Sequence, residues 1–143
     1  MEKRTYLFSL FLFLTFFVFL FFFPFCPLEP ADVIEMVRHA NEICDAYQFE
    51  PYITLNTVNP RCLEAVINIA FDRDDAERTQ QAQKCVDEML ERYLAVGMVP
   101  YRVGVQDMSR LVDETDPFWR TVRDLKSAVD PNHIISPRRY NLV

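Results

Sequence analysis

The sequence predicts an α+β fold, with helices on one face of an antiparallel sheet. Three observations predict it. Apolar residues recur at three and four positions over Val33–Tyr47 and again over Ala82–Tyr93, the period of a helix with one buried face. Between them, residues 62–71 alternate strictly, the period of a strand. A third helical pattern follows Asp116-Pro117, an N-cap with proline at the first helical position. At 143 residues the chain has room for one domain at most. Its formal net charge of −6 argues against a nucleic-acid partner, which calls for a basic stripe. Gly97 and Gly104 are the only glycines, so neither common phosphate-binding glycine loop can be written.

The first element is anomalous. Ten of the thirteen phenylalanines lie in the first 25 residues, and residues 6–23 hold sixteen apolar side chains in eighteen with no charge. As a helix this run would measure about 27 Å, close to a hydrocarbon core of about 30 Å. It is therefore expected to form a hydrophobic N-terminal helix, residues 1–25 being an anchor-like segment and 26–143 a separate domain. Two readings of the run stand. It is a single-pass membrane anchor, with Lys3 and Arg4 on the cytoplasmic side. Or it is a mistaken first exon or misread start in front of an intracellular soluble protein. A cleaved secretory signal fits less well, because Phe23-Pro24-Phe25-Cys26-Pro27 lacks a small-residue cleavage site.

Pro30 opens the next helix, with Asp32 and Glu35 in its first turn where the macrodipole favours them. Its buried stripe runs from Val33 through Met36, Ala40 and Ile43 to Tyr47, and His39 is expected at its surface. Tyr52–Val58 and Cys62–Phe71, separated by Asn59-Pro60, read as a hairpin whose outer edges need cover. Asp74 with Glu77 three residues on reads as the cap of the following helix, which Gly97 ends. The last helix is expected to bury Phe118, Trp119, Val122, Leu125 and Val129. The tail after Asp130-Pro131 has no period, and Ile134 and Ile135 point to its lying against a partner surface. Cys26, Cys44, Cys62 and Cys85 stand 18, 18 and 23 residues apart without a C-x-x-C pair, so no metal site is expected. Cys44 and Cys85 fall on apolar helix faces, as buried free thiols in a reducing compartment.

FEPYITL at 49–55, FDRDDAERTQQAQ from 71, PYRVGVQDM at 100–108 and FWRTVRDLKSAVDPNHIISPRRYN at 118–141 resemble one family in linear order. It is the vanillyl-alcohol oxidase and para-cresol methylhydroxylase family of FAD-linked oxidoreductases, in its C-terminal portion. The resemblance implies part of an antiparallel-sheet cap domain, helix–hairpin–helix, followed by a C-terminal helix and tail. It further implies oxidation of para-substituted phenols. The phenol is bound as phenolate, a benzylic hydride leaves for the flavin, and a quinone methide results. Such chemistry needs donors and positive charge where negative charge collects.

Tyr101 and Arg102 match the family's Tyr-Arg pair, which implies that Tyr101 hydrogen-bonds the phenolate and Arg102 stabilises both phenolate and reduced flavin. Read without the family, they are a packed tyrosine and a solvated arginine. Arg139 matches the basic residue of a C-terminal Pro-Gly-Arg turn near the flavin. Arg138 stands where that turn has glycine, and His133 stands at another common glycine position. A positive φ at Arg138 costs a non-glycine residue about 1 kcal/mol or more, and His133 reads as a solvated loop histidine. Glu50 reads as a capping or surface carboxylate.

The family's FAD-binding half, its flavin-linking residue and a second phenolate-binding tyrosine lie upstream in homologous chains. The expectation is a fragment inactive alone, whose partner is a missing FAD-binding half and whose substrate is a small phenol. The alternative is a non-catalytic, membrane-tethered small α+β interaction module.

Overall fold

The computed structural model describes residues 17–140. The elements in order are β1 (Phe17–Phe22), β2 (Phe25–Pro27), α1 (Pro30–Ala46), β3 (Pro51–Asn59), β4 (Cys62–Asp72) and α2 (Ala76–Ala95). A 3₁₀ turn (Val105–Asp107), α3 (Met108–Leu111) and α4 (Pro117–Val129) follow. Two compact units result, Met1–Tyr101 and Arg102–Val143.

In the first unit β4 is the centre of an antiparallel sheet. β3 pairs along one side, with a register shift between Thr57 and Asn59. The expected hairpin is present, and Arg61 N–H donates to Asn59 Oδ1 at 2.8 Å in its turn. β1 and β2 pair along the other side in one continuous register, Phe22 opposite Ile67 and Phe25 opposite Glu64. Residues on both sides of position 25 thus share one sheet.

The expected N-terminal helix is corrected here. Residues 17–22 are a strand, and no helix among the described residues is long and apolar enough to cross a membrane. The rest of the expected anchor, up to residue 16, lies outside the described residues. A wholly apolar run does not reveal its period, because helix and buried strand both accept it. Phenylalanine and valine favour the pleated arrangement once a partner strand is present.

Alternation builds the core. Leu63, Ala65, Ile67, Ile69 and Phe71 of β4 are buried, and the register sets Phe22 and Cys26 on that face. α1 and α2 cover it with Met36, Ala40, Ile43, Ala82, Met89 and Tyr93, all essentially inaccessible. The Tyr93 hydroxyl donates to Met36 O at 2.5 Å, and its ring meets Phe22 edge to face with centroids 5.2 Å apart. His39, expected at the surface, is only 8% exposed. Its Nε2 lies 2.8 Å from Glu35 Oε1 and its ring against Tyr93.

Pro30 sits at the start of α1 as expected. The cap of α2 is Asp75 rather than Asp74, its Oδ1 accepting from Arg78 N–H at 3.0 Å. Asp74 instead donates its N–H to Asp72 Oδ1 at 2.9 Å in the preceding turn. Gly97 ends α2 with φ +78°, and Met98 N–H reaches back to Tyr93 O at 2.9 Å. This is the closing bond that a left-handed residue permits.

In the second unit Asp116 caps α4 as expected, accepting from Phe118 N–H at 2.8 Å. The expected burial of α4 is not found. Phe118 and Leu125 are each 63% exposed and Val129 is 75% exposed. Amphipathic spacing specifies which face is apolar, but it does not supply a surface to cover it. Ile134 and Ile135 are likewise exposed among the described residues. Met108 is buried, and Tyr140 N–H donates to its sulfur at 3.3 Å, bringing the tail back over α3.

Candidate functional site

The residues after α2 return to the sheet. Pro100 bridges to Pro24, Phe25 N–H donates to Val99 O at 2.9 Å, and Tyr101 N–H donates to Phe23 O at 2.6 Å. Three residues thereby act as a short added strand beside the Pro24 break. Proline has no N–H to give, so the ladder is carried by the residues around it.

This pairing puts Tyr101 at one end of an aromatic row. The register places Phe19, Phe21 and Phe25 on the sheet face opposite the helices, with Asn68 of β4 and Tyr52 of β3 in line. Phe19 and Phe21 have centroids 6.2 Å apart, and Phe21 and Phe23 are stacked at 5.9 Å. Phe25 and Tyr101 meet edge to face at 5.6 Å. Phe21, Tyr52 and Tyr101 are each about half exposed. Such a surface presents aromatic side chains, two of them tyrosines, half open to solvent.

Tyr101 is the last residue of the first unit and Arg102 the first of the second. The Arg102 side chain is exposed. Arg139 belongs to the tail of the second unit and is exposed, with its N–H donating to Ser136 O at 3.2 Å. His133 and Arg138, read as occupying glycine positions, have φ of +52° and +61°. Ser136 and Tyr140 also have positive φ. The backbone at both positions thus keeps the conformation glycine would favour, although side chains are present. Glu50 is exposed beyond the end of α1.

Asp130 anchors this tail. Its carboxylate accepts from Ile134 N–H at 3.1 Å and Ile135 N–H at 2.9 Å, and from the Lys126 ammonium. The Lys126 hydrogen bond, above all, holds its pKa down to about 2.

The sequence reading missed the aromatic row. Its signal was the phenylalanine at every odd position from 17 to 25, hidden because the even positions are apolar too. A separate surface cleft of about 580 Å³ is lined by Tyr47, Lys84, Glu88 and Arg92, among others, and by none of the predicted site residues. In it Arg92 pairs with Glu88 at 2.8 Å and the Tyr47 hydroxyl donates to Glu88 at 3.0 Å. Among the described residues no three metal-ligating side chains gather.

Residues 26–140 match the family described as FAD linked oxidases, C-terminal domain. The chain is 32% identical over 105 residues to 1'-carboxy-chondrochloren decarboxylase of Chondromyces crocatus, covering 73% of this chain and 19% of that protein. It is 33% identical over 92 residues to the 4-cresol dehydrogenase (hydroxylating) flavoprotein subunit of Pseudomonas putida, covering 64% and 18%. The chain thus spans about a fifth of the length of these curated relatives. Among solved structures, p-cresol methylhydroxylase with substrate bound superposes with a TM-score of 0.75 at 27% identity, over 85% of this chain and 24% of that one. The 4-ethylphenol oxidase from Gulosibacter chungangensis in its isoeugenol complex gives 0.77 at 16% identity over 87% and 24%, a likeness of fold.

Proposed function

The chain belongs to the vanillyl-alcohol oxidase and para-cresol methylhydroxylase family of FAD-linked oxidoreductases, of which it carries the C-terminal portion, and on that premise we propose that it forms the phenol-binding side of a flavoenzyme that oxidises para-substituted phenols. The observation that carries the reading is Tyr101, half exposed and held against Phe25 at the end of the aromatic row. FAD supplies the hydride acceptor.

In this reading the row takes the ring of the phenol and excludes water from it. The Tyr101 hydroxyl donates a hydrogen bond to the phenolate oxygen, and the Arg102 guanidinium holds the negative charge there. A donor and a fixed cation, placed before the reaction begins, stabilise that charge without reorganising solvent. Arg102 and Arg139 are assigned to the ring end of the cofactor, where a cation suits the charge that reduction brings. Gly97 follows a helix and Gly104 precedes a 3₁₀ turn, so neither makes the strand-to-helix glycine loop. The family resemblance assigns the FAD-binding half to another part of the complete protein.

The test uses native protein captured with an antibody to an α2 peptide. Oxidised-flavin absorbance that bleaches anaerobically on adding 4-methylphenol supports the reading, and the absence of flavin overturns it. In the expressed holoprotein, Tyr101→Phe should slow bleaching by about 10²-fold with flavin content unchanged. Unchanged bleaching would remove Tyr101 from the site.

A further inference from the structure

Two cysteines meet at the seam of α1 and α2. Cys44 lies in the last turn of α1 and Cys85 midway along α2, and their sulfurs are 4.0 Å apart. Both are completely buried, and all four cysteines are free. They stand forty-one positions apart, with the whole hairpin between them, so the contact is made by tertiary packing. The other two cysteines differ. Cys26 Sγ donates to Pro27 O and Cys62 Sγ to Leu63 O, and the register places Cys26 opposite Leu63. Cys26 and Cys62 therefore occupy opposite faces of neighbouring strands.

We propose that Cys44 and Cys85 form a redox dithiol that closes to a disulfide between α1 and α2 when the protein meets a peroxide. The sulfurs already touch, and a disulfide of about 2.05 Å needs a further approach of about 2 Å. The contact with Cys44 and burial push the Cys85 thiol well up, while the same contact draws the Cys44 thiol down, which makes Cys44 the attacking thiol. Cys44 thiolate attacks one oxygen of hydrogen peroxide. The O–O bond breaks, and the departing hydroxide takes the proton released from Cys44 and leaves as water. Cys85 sulfur then attacks the Cys44 sulfenic sulfur, the S–O bond breaks, and the departing hydroxide takes the Cys85 proton. Two thiols are oxidised by two electrons and one peroxide is reduced to two waters. The covalent link closes a loop around the hairpin, which restricts the unfolded chain.

The inference is independent of the phenol reading and is tested on the full reduced chain treated with hydrogen peroxide. A non-reducing tryptic digest should yield His39–Arg61 joined to Cys85–Arg92, two hydrogens lighter than their sum and separated again by dithiothreitol. The melting temperature of the oxidised chain should rise. Cys85→Ser should abolish the linked peptide and leave a sulfenic acid on Cys44 that dimedone traps. Should that variant not fold, Cys85→Ala keeps the site apolar and serves the same purpose. The inference is overturned if both thiols stay alkylatable after peroxide, if they pass to sulfinic acids unlinked, or if the link forms through Cys26 or Cys62.

Discussion

The ring of Tyr101 stands edge-on to the ring of Phe25, centroids 5.6 Å apart and planes at 78°. With Tyr101 N–H bonded to Phe23 O, this fixes the tyrosine by its backbone and its ring at once. Phe25→Leu should keep the strand bonds and remove the ring contact. Such a pair contributes about 0.5–1.5 kcal/mol beyond its buried area. A urea melt of the variant should show that loss, and the Tyr101 ring resonances should move. Unmoved resonances would mean that Phe25 does not position Tyr101.

The Phe-rich run can be tested by its parity. Phe22 is 5% exposed on the core face and Phe21 is 51% exposed on the other. Phe22→Ala should cost about 3–5 kcal/mol. Phe21→Ala should cost no more than about 1.5 kcal/mol, because much of that ring is already in water. Chemical denaturation of both variants reads the difference. Equal losses at both positions would contradict the strand.

Where one parity was polar, the sequence revealed its structure. Glu64 and Asn68 made β4 legible among Leu63, Ala65, Ile67 and Ile69, and the three-and-four spacing of α1 and α2 located the core. Residues 17–22 were not legible, because a run apolar at every position has no visible period. Asp74 was read as the cap of α2, but its N–H is taken by the local turn at Asp72 and Asp75 caps instead. The apolar stripe of α4 was read correctly and its burial was not, since spacing contains no information about a covering surface. Tyr101 and Arg102 were visible only through resemblance. What composition could not show was that the chain doubles back at Val99–Tyr101 to place the tyrosine beside Phe25.

The Asp130 anchor makes the tail sensitive to acid. Its folded pKa of about 2 lies below the ordinary 3.8, so its contribution is fully present above pH 4 and is lost as pH falls through about 2. Amide exchange at Ile134 and Ile135, which donate to this carboxylate, should accelerate over that interval relative to the intrinsic rate. Asp130→Asn should show fast exchange already at neutral pH. Protection that survives below pH 2 would mean that the carboxylate does not hold the tail.

Arg138 supplies the complementary prediction, a gain. At φ +61° its Cβ crowds the neighbouring carbonyl, a cost of about 1–2 kcal/mol that glycine would not bear. Glycine also has more freedom to lose on folding, about 0.5–1 kcal/mol. The difference leaves Arg138→Gly more stable by up to about 1.5 kcal/mol, within the tail that carries Arg139. His133→Gly, at φ +52°, should behave alike, and it also removes a buried ring nitrogen that has no hydrogen-bond partner. Slower amide exchange over residues 133–140 in both variants is the expected result. Faster exchange in either would show that the side chain, rather than the left-handed backbone, determines the order of the turn.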